Sequence, residues 1–179
     1  DRAGVGDSGW ALACTTADYD SDGDSDLFVA NDFGKNVLYR NRGDGSFDDL
    51  TEEAGIGIRA SHMGASFGDV DGDGHPDLFV TAMASNSAWI VDQPGFPAPA
   101  PFPIGFLFRG AVLGALKEML GGNWLFMSRG DGTFTEVSTL SGTRHSGWAW
   151  GGVFFDYDND GRLDIYVPNG LVTGEDSAD

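Results

Sequence analysis

Nine residues near the start of the chain, DYDSDGDSD at 18–26, hold five aspartates; the pattern returns as DVDGDGHPD at 69–77 and DYDNDGRLD at 156–164. So much like charge in so short a loop calls for a counter-charge. Recurrence at fixed offsets calls for an internal repeat. A chain that carries both has few folds open to it.

The repeat extends beyond the loops. A shift of 51 residues lays DYDSDGDSDLFVAN on DVDGDGHPDLFVTA and DRAGVG, at the start, on EEAGIG. A shift of 87 lays VDGDGHPDLFV on YDNDGRLDIYV, and NVLYRNRGDGSFDDLT at 36–51 on NWLFMSRGDGTFTEVS at 123–138. One insertion in the second unit, residues 85–121, accounts for the difference. Within each unit the short β-branched and aromatic runs (DLFVAN, NVLYRN, GSFDDLT) read as strands divided by Gly/Asp/Asn turns. Runs of small residues broken by aromatics, GWALACTTA, SHMGASFG and GWAWGGVFF, supply a further strand before each loop. Four short strands per 51-residue unit predict an all-β fold, a β-propeller, with a β-solenoid as the less fitting alternative because solenoid repeats are much shorter. The expected layout is the tail of a preceding blade at 1–6, a blade at 7–57, a blade with the insertion at 58–144, and a partial blade at 145–179. About two and a half blades do not close a ring. The expectation is a piece of a longer polypeptide, or a ring completed by partner chains.

Each loop reads D-x-D-x-D-G-x-x-D. Its side-chain oxygens come from Asp18, Asp20, Asp22 and Asp26; from Asp69, Asp71, Asp73 and Asp77; and from Asp156, Asp158, Asp160 and Asp164. Asp24, His75 and Arg162, at the seventh position, are expected to contribute backbone carbonyls. The glycine at the sixth position (Gly23, Gly74, Gly161) allows the turn that gathers these groups. Hard oxygen ligands in a flexible loop suit Ca²⁺; Mg²⁺ keeps more water, and zinc takes His or Cys. An EF-hand would need a bidentate Glu at position 12 and a following helix, but Val29, Val80 and Val167 stand there, within predicted strands. About three Ca²⁺ are expected, and they would carry the formal charge from -18 to about -12. The alternative for any single loop is an acidic turn.

These motifs resemble the FG-GAP/VCBS repeat family, the calcium-loop blades of integrin α-type propellers and many secreted bacterial proteins. The unit GWAWGGVFFDYDNDGRLDIYVPNG is similar to the cartilage acidic protein/ASPIC-UnbV subgroup. The resemblance implies a seven- or eight-bladed propeller, loop calcium on the residues above and an extracytoplasmic setting. It does not imply one activity, since function lies in surfaces grafted on the fold.

The net charge of -18 and pI near 4.1 exclude nucleic-acid binding on electrostatic grounds. The opening DRAGVGDSGW lacks the pattern of a signal peptide, and no apolar run is long enough to span a bilayer. Cys14 cannot form a disulfide within the chain and reads as a small buried hydrophobe. Arg42-Gly43-Asp44 and Arg129-Gly130-Asp131 occupy one repeat position and read as strand-connecting turns rather than an integrin-recognition tripeptide. His62, His75 and His145 are scattered and form no zinc motif. Trp10, Trp148 and Trp150 read as blade-packing residues, or as sugar-stacking platforms.

The insertion is nearly uncharged and Pro/aromatic-rich, with a predicted helix at 104–120. It reads as a long loop packing over its own propeller, as a docking arm for another protein subunit, or, least fittingly, as a segment dipping into a membrane interface; as a docking arm, its candidate partner-binding residues are Trp89, Phe96, Phe102, Phe106 and Phe108. The expectation is a non-enzymatic, calcium-stabilised extracytoplasmic module for protein–protein interaction, adhesion or assembly. Its partners are other protein subunits or the remaining blades, and peripheral docking to a membrane complex is compatible with that. The alternative is a carbohydrate-binding or polysaccharide-processing propeller whose active groups lie in blades outside this chain.

Overall fold

The computed structural model describes residues 2–82 and 121–169. The predicted helix at 104–120 and the five candidate partner-binding aromatics lie outside the described residues. Those described form strands and turns, without a helix.

Two four-stranded antiparallel meanders carry the fold. The first orders β1 (Trp10–Ala17), β2 (Asp26–Asp32), β4 (Val37–Asn41) and β5 (Phe47–Asp49). The second orders β7 (His62–Gly68), β8 (Asp77–Ala82), β9 (Trp124–Ser128) and β10 (Phe134–Glu136). A third unit contributes the hairpin β11 (Val153–Phe155) and β12 (Asp164–Tyr166). These are four-stranded propeller blades followed by part of another.

The repeat is visible at the level of register. Leu27 pairs with Tyr39 and Phe28 with Leu38 in the first blade; Leu78 pairs with Phe126 and Phe79 with Leu125 in the second. The first strand of each blade, β1 and β7, carries a bulge at the same place, between Ala11 and Ala13 and between His62 and Gly64. The Thr51 hydroxyl accepts from the Leu38 N–H at 2.9 Å, and the Ser138 hydroxyl does the same for Leu125 at 2.7 Å. The AGVG and AGIG segments also serve one purpose. Ala3 O accepts the Phe47 N–H at 2.8 Å, and Ala54 O accepts that of Phe134 at 3.0 Å, so each segment ties one unit to the hairpin of the next.

The core lies between the first two blades. Phe28, Ala30, Leu38, Leu78, Val80 and Phe126 are buried there with Ala54 and Ile56 of the connecting segment. Phe28 meets Phe67 edge-on, with ring centroids 6.4 Å apart, and Phe79 meets Phe154 of the third unit in the same way at 6.3 Å. Burying aromatic side chains of this size stabilises each contact by about 1.5–3 kcal/mol per ring. A two-residue pair unforeseen in the sequence, β3 (Gly34–Lys35) with β6 (Arg59–Ala60), laces the β2–β4 connection of the first blade to the start of the second.

Two expectations about side chains need correction. Cys14 is exposed rather than buried. Strand β1 is an edge strand whose Ala13, Thr15 and Ala17 turn inward, which leaves Leu12, Cys14 and Thr16 on its outer face. Trp10 is 73% exposed and Trp150 46%, so neither packs between blades among the described residues; Trp148 is half-buried.

Candidate metal centres in the aspartate loops

Each aspartate loop is the connection of a β-hairpin. The first position follows the last residue of one strand, and the ninth opens the next: Ala17 pairs with Asp26, Gly68 with Asp77, and Phe155 with Asp164. Within that frame the loops fold the same way. In every loop position 1 accepts a backbone N–H on one oxygen from position 5 (Asp22, Asp73 and Asp160, each at 3.0 Å) and one on the other from the glycine at position 6 (3.0, 2.9 and 2.8 Å); Asp69 also accepts the Gly72 N–H at 2.8 Å. Position 3 shares the position 5 N–H at 3.2–3.3 Å. Position 5 accepts the N–H of position 7 at 2.8–3.0 Å. The glycines take φ of 96°, 91° and 86°, the left-handed region where a Cβ is costly.

This curl gathers carboxylate oxygens. Ligand-capable atoms of Asp18, Asp20 and Asp22 lie within 4.8 Å of one another, as do those of Asp69, Asp71 and Asp77, and those of Asp156, Asp158 and Asp164. Three anionic oxygens this close repel one another unless a cation stands between them. Asp20 shows the strain: burial first, and then the Asp22 charge, raises its pKa above the ordinary carboxylate value. An all-oxygen, all-carboxylate donor set suits a hard divalent ion and offers nothing to a soft one. The residues fit a metal.

The ninth position has a second duty. Asp26 and Asp77 are fully buried. One oxygen of each accepts from position 2, Tyr19 N–H at 3.1 Å and Val70 N–H at 2.9 Å. The other accepts from the end of the third strand of the blade, Asn41 N–H at 2.8 Å and Ser128 N–H at 2.8 Å. Burial pushes Asp26 up to about 6 against these two hydrogen bonds, and burial likewise raises Asp77. Asp164 accepts the Tyr157 N–H at 3.2 Å. Asp26 and Asp77 are therefore clamps between loop and blade as well as candidate ligands. In the first loop the gathered triad draws on Asp22 instead.

The position 7 side chains of Asp24 and His75 point away from their loops, whereas that of Arg162 turns back onto its own. A Cβ on Gly43 would stand 2.6 Å from Asp24 Oδ2, and one on Gly130 would stand 2.6 Å from His75 Nε2, so each packs on the RGD turn of its own blade. Arg162 bonds Asp160. Asn41 and Ser128 were not singled out by the sequence reading, although the 87-residue shift aligns them immediately before the two RGD turns.

Comparison with known proteins agrees with this geometry. Cartilage acidic protein 1 of Homo sapiens and that of Mus musculus are each 25% identical to the chain over 177 residues, covering 82% of it and 26% and 27% of those proteins. The chain thus spans about a quarter of the length of these relatives. The FG-GAP-like repeat matches residues 4–80 and 112–167. With the repeated blades and loops, that places the chain in a family: it belongs to the FG-GAP-like repeat proteins.

Proposed function

We propose that the chain is a calcium-stabilised, extracytoplasmic β-propeller module, non-enzymatic, that serves protein–protein interaction, adhesion or assembly within a larger complex. One observation carries the calcium reading: three loops repeat the same carboxylate curl at the same hairpin, each anchored by a ninth-position aspartate. The residues that would hold the ion are the aspartates at positions 1, 3, 5 and 9, with the carbonyls of Asp24, His75 and Arg162. The ion would supply positive charge to a hairpin connection that is otherwise self-repelling. An extracytoplasmic setting suits this use, because weak sites saturate at the millimolar calcium found there. Among the described residues no helix is long and apolar enough to cross a membrane. The unit bounds 7–57, 58–144 and 145–179 follow from the repeat, and the partner surface is assigned to the insertion, with Trp89, Phe96, Phe102, Phe106 and Phe108. Calorimetric titration of the 179-residue chain with CaCl₂ tests the reading. About three ions per chain are expected; heat no greater than that of MgCl₂ would sink it.

A second reading, carbohydrate binding, has one observation in its favour. Trp10 and Phe33, both largely exposed, flank a depression of about 380 Å³ that Ser8, Gly9, Asp32 and Gly34 also line. Binding to a neutral glycan that Trp10→Ala abolishes would favour it; no binding across a glycan panel would remove it.

A further inference from the structure

The three loops share a backbone but differ at position 7, where Asp24, His75 and Arg162 stand. We propose that Arg162 is a resident cation that makes the third loop the weakest and fastest-exchanging of a graded set of sites. This inference rests on the calcium reading above.

In the third loop both oxygens of Asp160 are engaged. Oδ1 accepts the Arg162 backbone N–H at 2.9 Å, and Oδ2 accepts the guanidinium, from Nε at 3.0 Å and from Nη2. Asp22 and Asp73 accept the corresponding backbone N–H on Oδ1 as well, but their second oxygens take no hydrogen bond among the described residues. An ion entering the third loop must therefore share Asp160 with a guanidinium or displace it. The charges run in the same direction. With His neutral, the first loop holds five carboxylates (-5), the second four (-4), and the third four against one guanidinium (-3). Affinity should fall from the first loop to the second to the third. A unit charge about 6 Å from a divalent ion in water-like surroundings changes affinity by about tenfold.

Each loop carries its own reporter, since Gly23, Gly74 and Gly161 donate their N–H to the first aspartate of their loops. Two-dimensional ¹H–¹⁵N NMR of the chain during a CaCl₂ titration follows all three. The expected order of midpoints is Gly23, then Gly74, then Gly161. Arg162→Gln should lower the Gly161 midpoint by about tenfold and leave the other two in place, while Arg162→Lys, which keeps the charge, should leave Gly161 late. Asp24→Asn should raise the Gly23 midpoint alone. Arg162 is exposed, so its replacement does not threaten the fold. A Gly161 midpoint at or below the others, or one unmoved by Arg162→Gln, overturns the proposal. If no glycine responds to calcium, the calcium reading itself fails.

Discussion

Tyr19, the second residue of the first aspartate loop, stacks on Phe134 of the second blade, with ring centroids 5.9 Å apart and planes inclined by 25°. The contact joins a loop of one blade to the outermost strand of the next. Tyr19 is buried there, which pushes its phenol up to about 12. Whatever orders the loop therefore also orders the seam between blades. Phe134→Ala should cost about 3–5 kcal/mol, with Phe134→Leu much milder. Urea unfolding in saturating calcium measures this, and near-equal midpoints for wild type and Phe134→Ala would show that the stacking is incidental.

The ninth-position clamp makes a separate prediction. Asp26 accepts two backbone N–H groups, one from its own loop and one from Asn41 on β4. An amide in its place can satisfy one and turns a donor on the other. Asp26→Asn should cost about 1–3 kcal/mol in saturating calcium, and Asp77→Asn about the same. A control at an exposed loop carboxylate that accepts no N–H from another strand, such as Asp71→Asn, should weaken calcium binding without an equal loss in calcium-saturated stability. Equal losses for both would mean that the clamp adds nothing beyond the metal.

His62 sets a pH dependence. It is fully buried at the seam, with Nδ1 3.2 Å from Asn31 O, and burial lowers its pKa to about 4. The folded state therefore keeps the ring neutral while the unfolded chain takes up a proton below about 6.5. Stability from this group is present above about 6.5 and is lost as pH falls toward about 4, on the order of 3 kcal/mol in all. Melting temperatures between pH 7 and pH 4.5 should fall more steeply for wild type than for His62→Gln. Parallel slopes would assign the acid sensitivity elsewhere.

The two RGD turns should not support integrin recognition. Arg42 grips Asp48, with Nε at 2.7 Å from Oδ2 and Nη2 on Oδ1, and Asp44 accepts both the N–H and the hydroxyl of Ser46, at 2.9 and 2.5 Å. Asp131 treats Thr133 in the same way. Both charged ends of the tripeptide are thus committed within the turn. Cell adhesion to the immobilised chain, if any, should be insensitive to a cyclic RGD peptide, whereas peptide-blocked adhesion would contradict the turn assignment.

Much of this architecture was legible in the residues themselves. Offsets of 51 and 87 were enough to align Leu27 with Leu78 and Tyr39 with Phe126, and the strands pair in the corresponding registers. Alternation within a strand, however, says which residues share a face and not what lies opposite. Hence Cys14 and Trp10, read as packing residues, stand exposed on an edge strand. The clamp from Asp26 to Asn41 was hidden for another reason. It joins a side chain to a backbone N–H 15 residues away, and backbone donors leave no trace in side-chain spacing. The pairing of Lys35 with Arg59 was equally silent, since two like charges on two-residue strands carry no strand signature.

The central claim is that calcium holds the aspartate loops and, through them, the blades. Thermal unfolding followed by circular dichroism, in millimolar CaCl₂ and then in excess EGTA, tests it most directly. A ligand bound only by the folded state adds about 2.7 kcal/mol per site at a hundredfold excess over its dissociation constant. Three sites should therefore lower the midpoint by many degrees in EGTA, with recovery on adding Ca²⁺ but not Mg²⁺. A midpoint that does not move between the two buffers would contradict the claim and leave the loops as acidic turns.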